Sequence, residues 1–160
     1  MHIHYISEQN SILNHFLAQI RDVNIQKDSM RFRKNIERIG EIMAYELSKT
    51  LDYKNIDVQT PLGIKHTTTI AEPVVLCSIL RAGLALHQGF MSFFDNAENG
   101  FVSAYRHHYD NDDKFEILVE YQAAPSFEGK NLILIDPMLA TGQSLVAVLH
   151  KLHLEQKPKE

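Results

Sequence analysis

The 160-residue sequence has no tryptophan and a single cysteine, Cys77. One cysteine excludes an intrachain disulfide, so the fold must be held by its core. Basic charge is also scarce. Lys and Arg number 16 against 20 Asp and Glu, which leaves a net charge of −4. That balance argues against a nucleic-acid partner or an acidic membrane surface, although a phosphorylated small molecule needs only a local pocket. No apolar run is long enough to cross a bilayer, because the longest candidates are broken by Arg81 or Asp136. The start, Met1-His2-Ile3-His4-Tyr5, lacks the basic segment, apolar stretch and cleavage site of a secretory leader. These absences predict a cytoplasmic protein. Also missing are G-x-G, G-K-[ST] and G-x-S-x-G, which excludes the dinucleotide fingerprint, the Walker-type loop and the serine-hydrolase elbow.

What is present is ordinary globular composition, 44% apolar and 22% charged, at a length suited to one domain over residues 1–160. Ser11 to Ile20 carries an apolar stripe at helical spacing, and Met30 to Leu47 carries a longer one that includes Gly40. Between them, Asn24 to Asp28 is a polar break. Ile56 to Thr60 and Ile64 to Ile70, punctuated by Pro61-Leu62-Gly63, predict a β-hairpin or a pair of short strands. Val74 to Leu80 and Asn131 to Ile135 are nearly unbroken apolar runs, the pattern of strands buried on both faces of a parallel sheet. Leu84 to Met91 and Ser144 to Leu154 read as helices, and Gly100 to Tyr105 as a further strand. Phe115 to Tyr121 reads as an arm that pairs back. The alternation predicts an α/β domain with a mostly parallel central sheet flanked by helices, preceded by N-terminal helices and carrying a β-arm.

Chemistry concentrates in the segment from Asp136 to Ser144. A buried strand delivers a carboxylate at its carboxyl end, then a loop of small residues opens a helix. Ligands of open α/β sheets bind at such ends, and successive N–H groups there cradle anions. Gly142 permits close approach of a phosphate, while Thr141 and Ser144 add hydroxyls. Asp136 suits ribose hydroxyls, which can donate to it. Spacing alone leaves open a plainer reading, in which Asp136 caps a loop and Thr141-Gly142 is a turn.

The form Asp136-Pro137-Met138-Leu139-Ala140-Thr141-Gly142-Gln143-Ser144 resembles the 5-phosphoribosyl-1-pyrophosphate (PRPP) loop of the uracil phosphoribosyltransferases. Ile79-Leu80-Arg81-Ala82-Gly83-Leu84 resembles a second loop of that family, and Tyr105-Arg106 a third motif, all in the same order. The resemblance implies a type I phosphoribosyltransferase-like fold and conversion of uracil and PRPP to UMP and pyrophosphate. PRPP would be held by Arg81, Arg106 and residues 136–144, with Asp136 positioning the ribose and no protein nucleophile. Mg2+ would be held through PRPP oxygens, with no direct metal ligand. A homo-oligomer, dimer or higher, is also implied. Two departures accompany it. Gln143 stands where many relatives have Gly. Only 16 residues follow Ser144, and none resembles the family's Gly-rich uracil loop. The expectation is therefore a C-terminally truncated member, with a further strand missing beside Asn131 to Ile135 and no uracil-binding residue present. A non-catalytic PRPP-binding or assembly module, or a pyrimidine-responsive regulatory relative, stays open as an alternative.

Other candidates carry less. His2-x-His4, His107-His108 and His150-x-x-His153 lack the surrounding ligands of a metal site, and Asp110-Asn111-Asp112-Asp113 lacks the Gly and Glu of a calcium loop. Cys77, inside an apolar run, reads as a small core residue. Phe90 to Phe94 reads as core or subunit contact.

Overall fold

The computed structural model describes residues 3–108, 115–155 and 158, with the backbone alone for 106–108, 115–117 and 153–155. Helix α1 spans Ile12–Arg21 and α2 spans Ser29–Ser48. Ser11 caps α1 reciprocally: its hydroxyl accepts from the Leu13 N–H, and Asn14 Oδ1 accepts from the Ser11 N–H, both at 3.2 Å. The polar break is a 3-10 turn, Ile25–Lys27, leading into Asp28, whose carboxylate accepts the Arg31 N–H at 3.0 Å and caps α2. Strands β1 (Tyr53–Thr60) and β2 (Gly63–Ile70) form the expected antiparallel hairpin, in register from Tyr53↔Ile70 to Thr60↔Gly63, and stand outside the main sheet.

The body of the fold is β3 (Val74–Leu80), α3 (Leu84–Met91), β4 (Glu98–Ser103), a hairpin of β5 (Tyr105–His108) and β6 (Phe115–Leu118), β7 (Gln122–Ala123), β8 (Asn131–Ile135) and α4 (Gln143–Glu155). The central sheet has the order β7-β4-β3-β8. Strand β3 runs parallel to β4 on one side and to β8 on the other, and β7 closes antiparallel on β4. Among the described residues β8 pairs with β3 alone, so it lies at an edge, as its sequence context anticipated.

Both faces of β3 are buried because each meets a separate apolar layer. Val74 and Leu76 join Ile133, Ile135, Leu86 and Phe90 under the helices α1–α3. Val75, Cys77 and Ile79 join Val102, Phe127, Val148 and Leu152 under α4. Full burial of such a side chain stabilises by about 1.5–3 kcal/mol. Of the Phe90–Phe94 segment, Phe90 and Phe94 are core while Phe93 is exposed. Gly40, unfavourable inside a helix by about 1 kcal/mol, has a packing reason. A Cβ there would lie 2.5 Å from the Leu86 carbonyl, and one on Gly89 would lie 2.1 Å from that of Glu37. The two glycines let α2 and α3 touch backbone to backbone.

Candidate active site

Parallel pairing brings the carboxyl ends of three strands to one rim. Ser78 of β3 is in register with Ile135 of β8, and Leu80 of β3 with Ser103 of β4. Beyond those ends lie Arg81, Asp136 and the Tyr105-Arg106 pair. The sequence motifs, separated by up to about a third of the chain, thus share one edge of the molecule.

Asp136 is half-buried directly after β8, and its Oδ1 accepts the Met138 N–H at 3.1 Å. That bond turns the chain back at Pro137 and leaves Met138 and Leu139 exposed, at 74% and 69%. Gly142 has φ +76°, a left-handed conformation that glycine adopts without a Cβ penalty. Immediately after it α4 starts, and the first helical bond runs from the Val146 N–H to the Gly142 carbonyl at 2.9 Å. The N–H groups of this first turn have no acceptor within the helix and face the incoming loop. Asp136 and residues 138–145 enclose a hollow of about 180 Å³. Gln143 is the first residue of α4, so its backbone is helical and the left-handed position belongs to Gly142 alone.

The neighbouring loop follows β3. Arg81 and Ala82 are exposed, the Leu80–Arg81 peptide is cis, and Gly83 is buried as the N-cap of α3. The space around Gly83 joins the two loops. A Cβ there would lie 2.3 Å from Ser78 Oγ, 2.8 Å from the Ile79 carbonyl and 3.0 Å from the Ile135 carbonyl, the residue before Asp136. Only glycine lets the Arg81 loop settle onto the end of β8. Below it, the Ser78 hydroxyl is buried without a hydrogen-bond partner among the described residues.

Helix α3 is further pinned to β4 by a buried histidine. His87 lies 2.8 Å through Nε2 from Asn99 Oδ1. The Asn99 amide is oriented by donating to the Ala97 carbonyl at 3.2 Å, so Nε2 of the imidazole carries the proton. Burial holds His87 below its usual pKa of 6.5, although the Asn99 contact opposes that, and its ring packs 5.0 Å from Phe101.

Tyr105, on the β4 side of the rim, hydrogen-bonds the side chain of Glu120, which raises its pKa. Arg106 lies in β5, in register with Ile117; its side chain is outside the described residues. So are His2, the side chains of His107, His108 and His153, and Asp110 to Asp113. Among the described residues no three His, Cys, Asp or Glu side chains gather as a metal site. Cys77 is fully buried, and desolvation pushes its thiol up to about 11, which leaves it no role as a nucleophile. Sequence reasoning missed Ser78 and the His87–Asn99 contact and gave Gly83 only as part of the second motif, since the role of each depends on a partner across the sheet rather than on local pattern.

A family model described as uracil phosphoribosyltransferase matches residues 6–160. The chain belongs to that family. The uracil phosphoribosyltransferase of Porphyromonas gingivalis is 46% identical over 159 residues, covering 99% of this chain and 73% of the relative. That of Methanothermobacter thermautotrophicus is 36% identical over 151 residues, covering 93% of this chain and 68% of the relative. Among solved structures, a protein from Aquifex aeolicus superposes with a TM-score of 0.76 at 29% identity, covering 90% of this chain and 67% of its own. A purine phosphoribosyltransferase from Pyrococcus horikoshii, at 13% identity and a TM-score of 0.56 over 78% of this chain and 66% of its own, shares the fold. The architecture is accordingly that of the type I phosphoribosyltransferases, and the uracil phosphoribosyltransferase motifs fall on its sheet rim.

Proposed function

We propose that this protein transfers the 5-phosphoribosyl group of PRPP to uracil, giving UMP and releasing pyrophosphate. The observation that carries the reading is that both loops sit at one sheet end, the first packed on the strand that leads into the second. The Asp136–Ser144 loop opens onto the start of α4, and the Arg81 loop is seated through Gly83 against Ile135, the last residue of β8 before that loop.

The chemistry follows from charge. As the bond from C1 of the ribose to pyrophosphate breaks, positive charge builds on the sugar and negative charge on the leaving oxygens. The N–H groups at the start of α4, with Thr141 and Ser144, bind the 5-phosphate. Arg81 and Arg106 take the pyrophosphate through charge-assisted hydrogen bonds aimed where negative charge develops. Asp136, held by the Met138 N–H, accepts from the ribose hydroxyls and fixes the sugar for attack by the base. No protein nucleophile takes part.

The donor set fits magnesium carried by substrate. Asp136 is the rim's one motif carboxylate, and among the described residues no protein cage exists. When bound, Mg2+ supplies Lewis-acid neutralisation of the pyrophosphate.

The proposal extends to setting and assembly. A lone buried cysteine and no helix, among the described residues, long and apolar enough to cross a membrane support a cytoplasmic location. The β1–β2 hairpin is exposed over most of both strands, and an isolated two-stranded sheet is marginal in water. This supports a homo-oligomer in which a second copy covers the hairpin. Sedimentation at micromolar concentration tests it, and a monomer would remove it.

The test of function is UMP formation from uracil and PRPP with magnesium, alongside calorimetric titration of PRPP. Turnover is expected. Binding without turnover would instead favour a non-catalytic module, and absence of both would sink either reading. Arg81→Ala should weaken PRPP binding by about 1.5–3 kcal/mol, the worth of a charge-assisted hydrogen bond, and unchanged affinity would take Arg81 out of the site.

A further inference from the structure

The β5–β6 hairpin, which carries Arg106, is a sheet of its own between β4 and β7. Its neck is closed by bonds between the outgoing and returning chain. The Ser103 N–H donates to the Tyr121 carbonyl at 2.9 Å, and the Tyr121 N–H donates to Ser103 Oγ at 3.0 Å. Tyr105 and Glu120 pair beside them. These contacts zip the neck, yet all join one limb of the connection to the other. They do not set the angle at which the hairpin stands against the rest of the fold.

A contact of another kind joins the hairpin to α4. Lys151, half-buried on α4, donates from Nζ to the Val119 carbonyl at 2.8 Å, across 32 residues of sequence. Val119 follows β6 directly and packs against the layer that contains Val148 and Leu152 of α4. It is two residues beyond Ile117, the partner of Arg106 in the hairpin register. Helix α4, in turn, begins at the Gly142–Ser144 end of the PRPP loop. An apolar residue at 151 would fill the same space, but only a donor fixes a direction.

We infer that Lys151 is a positioning residue for phosphoribosyl transfer. Through the Val119 carbonyl it sets the hairpin bearing Arg106 in a fixed relation to the helix that starts at the PRPP loop. The inference rests on the reading that Arg106 grips PRPP.

The test uses Lys151→Met, which keeps the stem and removes the donor, and Lys151→Arg, which restores one. In K151M the Kd for PRPP should rise roughly three- to tenfold, the worth of one lost hydrogen bond. Amide exchange at residues 105–108 and 115–118 should accelerate, while exchange at 74–80 and 131–135 should not. K151R should recover both. Adding K151M to Arg106→Ala should weaken PRPP no further. An unchanged Kd in K151M, equal loosening of the central sheet, or a full K151M penalty without Arg106 would each overturn the inference. Should Arg106→Ala alone leave PRPP affinity intact, the Arg106 reading fails and the positioning role with it; faster exchange confined to the hairpin in K151M would still establish Lys151 as its anchor.

Discussion

Gly83→Ala isolates the contact that seats the Arg81 loop on the end of β8. Gly83 has φ −66° and ψ −16°, a helical conformation that alanine adopts freely. Backbone preference alone would make the variant more stable by about 0.4–1 kcal/mol, through a less flexible unfolded chain. Sterics point the other way. Ordinary van der Waals contact for a Cβ begins at 3.4 Å, and the new methyl would sit more than 1 Å inside that distance from Ser78 Oγ. The serine can turn its hydroxyl, but the Ile79 and Ile135 carbonyls at 2.8 and 3.0 Å belong to the ends of β3 and β8 and cannot rotate away. Relief requires the Arg81 loop to rise from the strand that presents Asp136. Overpacking of this kind costs about 1–3 kcal/mol, or roughly 3–10 °C in unfolding midpoint for a chain of this length. A displacement near 1 Å between groups that hold one substrate lowers turnover on the order of 10²-fold. Thermal unfolding and steady-state kinetics measure both. Ser78→Ala combined with Gly83→Ala should recover part of the loss, since it removes the shortest contact and leaves the two carbonyls. Wild-type turnover and midpoint in Gly83→Ala would refute the claim that this glycine seats the Arg81 loop on the end of β8.

Three further outcomes follow from the buried groups. The unfolded chain protonates His87 near pH 6.5, while the folded chain, with its lowered pKa, resists until lower pH. Stability from this group is therefore full above about 6.5 and lost as pH falls. Denaturant titrations between pH 7 and 5 should show a slope up to about 1.4 kcal/mol per pH unit steeper in the native protein than in His87→Gln, and identical slopes would remove His87 as the cause. Cys77, with its thiol pushed up to about 11, should resist a thiol reagent at pH 8 until the protein is unfolded, and prompt labelling of the folded chain would contradict its burial. Gly89→Ala should lower the unfolding midpoint, because its Cβ would meet the Glu37 carbonyl at 2.1 Å; a rise, as helix propensity alone predicts, would show that α2 and α3 can part without cost.

The elements that the sequence displayed clearly are those whose burial is periodic or continuous. The runs at Val74 and Asn131 are strands because both of their faces meet a helix layer, and the stripe through Met30 to Leu47 is one helix. Gly40 reads locally as a blemish, and its reason appears only when α3 lies across it. Strand β7 is two residues long and too short for any period, so it exists by pairing with Phe101 and Val102. Of the site, the motifs were visible as strings, and Gly142 as the permissive position within one of them. What joins them was not, because Gly83 meets Ile135 and Lys151 meets Val119 across distances no local pattern encodes.

The pairing of β3 with β8 carries a further consequence. A strand with one wet face has its register dictated by alternation, since a slip of one residue would expose its apolar side. Here both faces are apolar, so hydrophobicity scarcely distinguishes Val74 opposite Asn131 from a pairing one step along. A single slip would move Asp136 by about 3.3 Å relative to Arg81 and turn it to the other side of the sheet. What discriminates lies at the two ends, where the Asn131 N–H donates to the Pro73 carbonyl at 3.0 Å and the bare Cα of Gly83 abuts Ile135. The alignment of the central strands is thus specified in part by the loop proposed to grip PRPP, and on that proposal selection on catalysis also selects the correct fold over its nearest misaligned rival.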